Sequence, residues 1–319
     1  MVVTGAAGFI GSHLCEKLIE NGHEVIGIDS FLDYYPRRIK EMNLESLRGF
    51  ARFRFLEQDL LEIHWPGVLD GADTVFHLAA QAGVRASWGS NFLVYTRNNI
   101  EATQRLLEES KSFELRKLVF GSTSSVYGDI EDIPMREDSL LRPVSPYGVT
   151  KLAAEGLCYL YWKNLGIPCL SLRYFTVYGP RQRPDMAFYR FILAALEGRP
   201  ITVFEDGLQT RDFTYIGDIV EGTIGAGLEG KPGRAYNLGG GSRISVQQVI
   251  ELLEDVAGKR ISCQYAEKQK GDMRHTFAST QRARADFGYA PSVSLKDGLT
   301  QEYQWLKDLH QKGLAHRVD

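Results

Sequence analysis

The stretch VVTGAAGFIGSHL, Val2 to Leu14, decides the fold. A β-branched run gives way to Gly5, Gly8 and Gly11, and an apolar pattern at helical spacing continues through HLCEKLIENG. A strand that turns through small residues into a helix lets backbone approach a pyrophosphate, whose charge the helix N-terminus meets. Phe9 and Ile10, between the second and third glycines, are further cofactor candidates. Asp29 ends a second strand-like run 18 residues after Gly11, where a carboxylate accepts hydrogen bonds from an adenosine ribose diol and repels a 2′-phosphate. NAD is therefore expected over NADP. Asp59, with Leu60 beside it, follows a third run and is expected to receive the adenine amino group. HLAA, His77 to Ala80, ends a fourth run and places Leu78, Ala79 and Ala80 next to the cofactor without bulk. Glycine-rich turns also arise for steric reasons alone, and here it is the context that favours a dinucleotide.

Working outward, the runs VVTG, EVIGID, FRFLEQD, TVFHLA, KLVFGST and CLSLRYF read as strands. Between them GSHLCEKLIENG, NNIEATQRLLEES and PYGVTKLAAEGLCYLYWKNLG carry apolar residues at helical spacing. This alternation predicts an α/β fold, a doubly wound, mostly parallel Rossmann-like sheet. Beyond residue 174 the texture changes to a Gly/Pro/Arg-rich loop, YGPRQRPDM, then helix, strand, turn, strand and helix, the strand AYNLG, and two further helical stretches. The expected division is a dinucleotide-binding domain over 1–173, to which the chain returns around 211–238, and a smaller α/β substrate-binding domain over 174–210 and 239–319. No linker separates them, so a cleft is expected along the carboxyl edge of the sheet.

Composition narrows the partners. The 319 residues are 44% hydrophobic and 24% charged, enough for a substantial core, and the net charge of −3 offers no basic field for nucleic acid. Without a basic, apolar leader or a long apolar run, neither export nor a membrane span is expected, and the chain reads as cytoplasmic. Cys15, Cys158, Cys169 and Cys263 form no CxxC pair and read as reduced core thiols, and the histidines have no ligand spacing, so no metal is expected.

Tyr147 and Lys151 lie at i and i+4 in SPYGVTK, near the start of a predicted helix, and project from one face. Holding a tyrosine as phenolate at pH 7 requires about 4 kcal/mol. One ammonium at about 4 Å supplies roughly that much at an effective dielectric near 20. Alone, YxxxK is usually a solvated helix face; after a dinucleotide turn and a hydroxyl-rich strand end it points to a tyrosine general base.

With these motifs in order, together with Asn99 on the fourth helix, STSSVYG, RYFTVYGPRQRPDM and TRDFTYIGD, the chain resembles the extended short-chain dehydrogenase/reductase family. Within it, the nucleotide-sugar epimerases and dehydratases are nearest. The resemblance implies that Tyr147 takes a sugar hydroxyl proton while hydride passes to tightly held NAD. It also implies that Lys151 binds the nicotinamide ribose and lowers the tyrosine's pKa, and that Thr123 bonds the reacting hydroxyl. Family dehydratases resemble TDEVYG at this place and decarboxylases TSEVYG; here Ser124 and Ser125 stand instead, and Thr176 replaces the asparagine of RYFN. RYFTVYGPRQRPDMAF, AAQAGVR and DYYPRRIKEMNL are most similar to the UDP-glucuronate 4-epimerases.

That resemblance has a physical rationale. Oxidation at C4 of a glucuronate gives a β-keto acid that loses carbon dioxide unless its carboxylate is restrained. Thr123, Ser124, Ser125 and Thr176 offer donors for that restraint, each charge-assisted bond contributing roughly 1.5–3 kcal/mol. The same hydroxyls would also serve simply to end a strand and cap a turn. The resemblance further implies Arg211 at the UDP diphosphate, Met186 and Ala187 at the uracil, Arg190 within reach of phosphate, Asp272 at the uridine ribose and Arg183 at the sugar. Arg85 is a further candidate. Gln269 stands where the family usually has an arginine. Expected alternatives are a UDP-glucose 4-epimerase, then a UDP-glucuronate decarboxylase, and a non-catalytic NAD-binding regulator. A homodimer joined by the helices near 92–110 and 146–164 is also expected from the family.

Overall fold

A computed structural model describes residues 1–317. Its strands are β1 (Val2–Thr4), β2 (Val25–Asp29), β3 (Phe53–Glu57), β4 (Thr74–His77), β5 (Lys117–Thr123), β6 (Cys169–Tyr174), β7 (Thr176–Tyr178), β8 (Ile201–Phe204), β9 (Thr210–Tyr215), β10 (Ala235–Leu238), β11 (Ser242–Ser245) and β12 (Cys263–Ala266). Seven of them form one parallel sheet in the order β10-β6-β5-β4-β1-β2-β3. The doubly wound α/β fold expected from the alternation is the observed one.

Burial on both faces explains why the central strands read as near-continuous apolar runs. On one side Val3, Leu14, Leu18, Phe76 and Ile219 join the sheet to the helices Phe9–Glu20 and Ile216–Glu229. On the other, Leu106, Leu118, Phe120, Cys158 and Tyr161 join it to the helices Ala102–Ser110 and Pro146–Leu165. The strand order turns back between β1 and β4, so their carboxyl ends open a crevice where the first βα turn lies.

Past β6 the chain builds a second layer. β11, β9 and β7 form a three-stranded sheet, and β12 pairs with β8. The helices Ala187–Glu197, Val246–Ala257 and Leu295–Gln311 pack on them around Tyr178, Phe188, Ile192, Leu253 and Leu299. The short strands β7, β11 and β12 were not legible in the sequence, since three or four residues without alternation carry no periodic signal. One cysteine also departs from expectation: Cys15, Cys158 and Cys169 are buried, but Cys263 is exposed, because β12 is half of a two-stranded sheet with an open face. No helix among the described residues is long and apolar enough to cross a membrane.

Candidate active site

A cleft of about 940 Å³ runs along the carboxyl ends of the parallel strands and under the second layer. Its floor begins at the first βα turn. A Cβ on Gly11 would stand 2.1 Å from the Gly5 carbonyl oxygen, so only glycine lets the helix start so close to the strand. The helix Phe9–Glu20 has no side-chain cap at Gly8, which leaves its first amides to a ligand. Asp29, at the end of β2, accepts hydrogen bonds from the amides of Phe31 at 2.9 Å and Ala7 at 3.3 Å. Burial pushes its carboxyl up, against the charge of Lys40. A cradle without side chains, an open helix start and an acid at the next strand end together fit a dinucleotide.

The catalytic candidates face this floor. Ser145 caps the helix Pro146–Leu165 by accepting from the Gly148 amide at 3.1 Å, and Pro146 follows at the first helical position. Gly148 is a close approach: a Cβ there would lie 2.7 Å from the Ser125 carbonyl oxygen. The helix start can thus abut the hydroxyl row, and Tyr147 and Thr123 line the cleft together. Burial pushes the Tyr147 phenol up, while the charge of Arg183 and the bond with Thr123 pull it down. The charge of Arg183 thus reaches the phenol from a loop 36 residues away, in addition to the Lys151 expected from the i, i+4 spacing, which lines the same cleft. The ammonium of Lys151 lies 4.3 Å over the Phe120 ring, and burial lowers its pKa to about 8.

In the row itself, the Ser125 amide donates to Thr123 Oγ1 at 3.2 Å, and Thr123 Oγ1 lies 3.3 Å from Ser125 Oγ. Thr123, Ser124, Ser125 and Thr176 all line the cleft beside Tyr147, and no carboxylate interrupts them. Behind them Tyr127 donates to Asn237 at 2.7 Å and accepts from Arg173 at 2.9 Å, which fixes the turn.

The same cleft collects Arg85, Arg183, Met186, Ala187, Arg190, Arg211 and Asp272. Arg85 pairs with Asp272 at 2.9 Å and stacks 4.2 Å over Phe204. Arg183 makes two bonds to Asp185, at 2.9 and 3.0 Å, and Tyr34 donates to the same carboxylate at 3.0 Å. Burial opposes the Asp185 charge, but the arginine holds the carboxyl below its ordinary range. Burial lowers the pKa of Arg211, whose guanidinium donates to the Thr210 carbonyl at 3.0 Å.

Two candidates stand apart. Asp59 stands at the edge of the cleft, between the lining residues Gln58 and Leu60; its carboxylate accepts from Arg97 at 2.7 Å and from the Leu61 amide at 2.9 Å. Asn99 is outside, in a π-helical segment, Thr96–Glu101. Its amide accepts from Gln81 N at 2.8 Å and donates to Gln81 O and Thr150 Oγ1, each at 3.0 Å, tying the loop after β4 to the catalytic helix. The other cofactor candidates, Gly5, Gly8, Phe9, Ile10, Gly11, Asp29, Leu60, Leu78, Ala79 and Ala80, line the cleft as expected. Sequence reasoning missed Tyr34, Lys40 and Asp185, which also line it. The first two lie within DYYPRRIKEMNL, whose signal in the sequence is the family resemblance alone.

Residues 1–239 match the NAD dependent epimerase/dehydratase family. The chain belongs to this family. Over 315 residues, 98% of this chain and 99% of the relative, it is 48% identical to an uncharacterized UDP-glucose epimerase of Bacillus subtilis (strain 168). It is 41% identical to the UDP-glucuronate 4-epimerase of Thermodesulfobacterium geofontis (strain OPF15) over 312 residues, 96% of each chain. The crystal structure of UDP-glucuronic acid 4-epimerase from Bacillus cereus with UDP-glucuronic acid and NAD superposes with a TM-score of 0.94 at 47% identity, covering 97% of this chain and 99% of the other.

Proposed function

We propose that the chain is an NAD-dependent isomerase that interconverts UDP-glucuronate and UDP-galacturonate. The observation that carries this reading is the hydroxyl row beside Tyr147, four donors without a carboxylate among them. NAD, when bound, supplies the acceptor and later the donor of one hydride at sugar C4. Gly5, Gly8 and Gly11 hold its pyrophosphate and Asp29 its adenosine ribose. Tyr147 takes the proton of the C4 hydroxyl and returns it to the inverted centre, with Thr123 bonded to the same oxygen. Lys151, whose pKa burial lowers to about 8 so that it remains mainly an ammonium at pH 7, is positioned for the nicotinamide ribose.

Ser124, Ser125 and Thr176 hold the substrate carboxylate, so that it does not turn perpendicular to a C4 carbonyl and leave as carbon dioxide. Arg183 meets the sugar, while Arg85, Arg190, Arg211 and Asp272 bind the nucleotide, with Met186 and Ala187 at the uracil. The description of the Bacillus subtilis relative favours UDP-glucose as the second reading. We further place the enzyme in the cytoplasm as a homodimer, joined through apolar residues that the helices 92–110 and 146–164 expose, among them Leu93, Val149, Tyr159 and Leu160.

Incubation with UDP-glucuronate and NAD, followed by proton NMR, is the test. An equilibrium mixture containing UDP-galacturonate and no pentose is expected. Accumulating UDP-xylose or a 4-keto-pentose would overturn the restraint role of the hydroxyl row, and turnover of UDP-glucose alone would select the second reading.

A further inference from the structure

Lys40 is a charged side chain in an unusual place. It lies on the helix Arg37–Asn43, is only 6% exposed, and still lines the cleft. Its ammonium donates to the Leu32 carbonyl at 3.0 Å, lies 5.1 Å from the centre of the Tyr35 ring and stands 3.8 Å from Asp29 Oδ1. An ammonium has three protons. One is taken by Leu32, and 3.8 Å is too long for a hydrogen bond to Asp29. Burying such a cation is costly unless its remaining protons find acceptors. On the Asp29 side, Oδ1 already accepts from Phe31 and Oδ2 from Ala7, and each carboxylate oxygen retains a second lone pair. Donor and acceptor thus border the same corner of the cleft, next to the turn that holds the pyrophosphate.

We propose that Lys40 is a second reader of the adenosine ribose: its ammonium donates to the diol whose protons Asp29 accepts, and Asp29 keeps that ammonium from taking a 2′-phosphate. A vicinal diol offers both donors and acceptors, which suits an Asp/Lys pair. A 2′-phosphate offers only acceptors, which suits the lysine and not the aspartate. The preference for NAD thus depends on the carboxylate, while the fold retains, one side chain away, a cation fit for NADP. This assignment rests on NAD use by the family and is independent of the sugar proposed above.

Calorimetry on cofactor-stripped protein tests it, with NAD and NADP titrated separately and UDP as a control for the far end of the cleft. Lys40→Gln is expected to weaken NAD at least fivefold and leave UDP unchanged. Asp29→Asn, which preserves shape and can still accept from the Phe31 amide, is expected to bind NADP at least tenfold more tightly than the native chain. Adding Lys40→Gln to that variant should abolish the gain. Equal NADP affinity in Asp29→Asn with and without Lys40 would overturn the proposal, as would unchanged NAD affinity in Lys40→Gln. Should Asp29→Asn not fold, the single Lys40→Gln titration decides. A native chain that binds UDP and no dinucleotide would instead overturn the NAD assignment itself.

Discussion

Gly11 and Arg183 border one cleft, yet they are held there by different means. Gly11 is fixed by backbone: it follows a strand by a few residues, and the carbonyl of Gly5 fills the space a side chain would need. Arg183 is fixed by side chains, through Asp185 in its own loop, which in turn accepts from Tyr34, 151 residues before Asp185. The cofactor wall is thus set by local sterics, and a change there removes the surface a ligand must approach. The substrate wall is set by hydrogen-bonded pairs gathered from separate elements. A change there shifts an orientation or an energy by a few kcal/mol, and its effects should be graded.

Gly11→Val is the most severe test of this contrast. Its branched side chain must displace the Gly5 carbonyl, so we expect no detectable NAD binding by calorimetry, with roughly 1–3 kcal/mol lost from stability by overpacking. Retained NAD affinity would mean that the turn yields, and that the cofactor wall is no more rigid than the other.

At the boundary between the walls, Tyr147→Phe removes only the proton carrier. Turnover should fall by about 10²–10⁴-fold while NAD and UDP bind as before. Weakened binding would place the hydroxyl in recognition and not in proton transfer.

On the substrate wall, replacing Ser124 and Ser125 together by alanine should leave epimerisation measurable and raise the decarboxylated fraction. With each charge-assisted bond contributing roughly 1.5–3 kcal/mol, the product ratio should change by about tenfold or more. Pentose and hexuronate are separated by chromatography of the reaction mixture. An unchanged ratio would reduce the row to a strand end and a turn cap.

The same contrast explains what could be read without coordinates. The cofactor wall was legible because its parts are consecutive: strand, turn, helix, and an acid at the next strand end. Tyr147 and Lys151 were legible for the same reason, lying one helical turn apart. The further charge that reaches Tyr147 was not, since nothing in SPYGVTK points to Arg183, and the loop that carries it is placed only by the packing of the second layer. Asp59 shows the same limit. Its position after β3 suits adenine, and Arg97 on a later helix also bonds its carboxylate, a partner 38 residues away that leaves no mark on the local pattern. Asn99 belongs to the site through Gln81 and Thr150, two residues whose own types gave no reason to single them out.

His13 joins the two walls and provides the smallest expected effect. It lies on the helix Phe9–Glu20, and its Nε2 donates at 2.9 Å to the carbonyl of Pro180, in the loop that carries Arg183. Burial, reinforced by the charge of Arg181, lowers its pKa to about 4 from an ordinary 6.5. Between those values the unfolded chain binds the proton and the folded chain does not, so stability is complete above about pH 6.5 and falls as the pH drops toward 4. Near pH 5.5 the loss should be about 1 kcal/mol. His77, lowered to about 3 by burial, titrates in the same direction, so the native curve alone cannot isolate the joint. His13→Gln keeps a donor for Pro180 and removes the titration. Urea unfolding of both proteins at about pH 7 and pH 5.5 should give the variant the shallower loss, by about that 1 kcal/mol. Parallel losses would mean that the His13 proton is indifferent to folding, and that the cofactor helix and the substrate loop meet there through backbone packing alone.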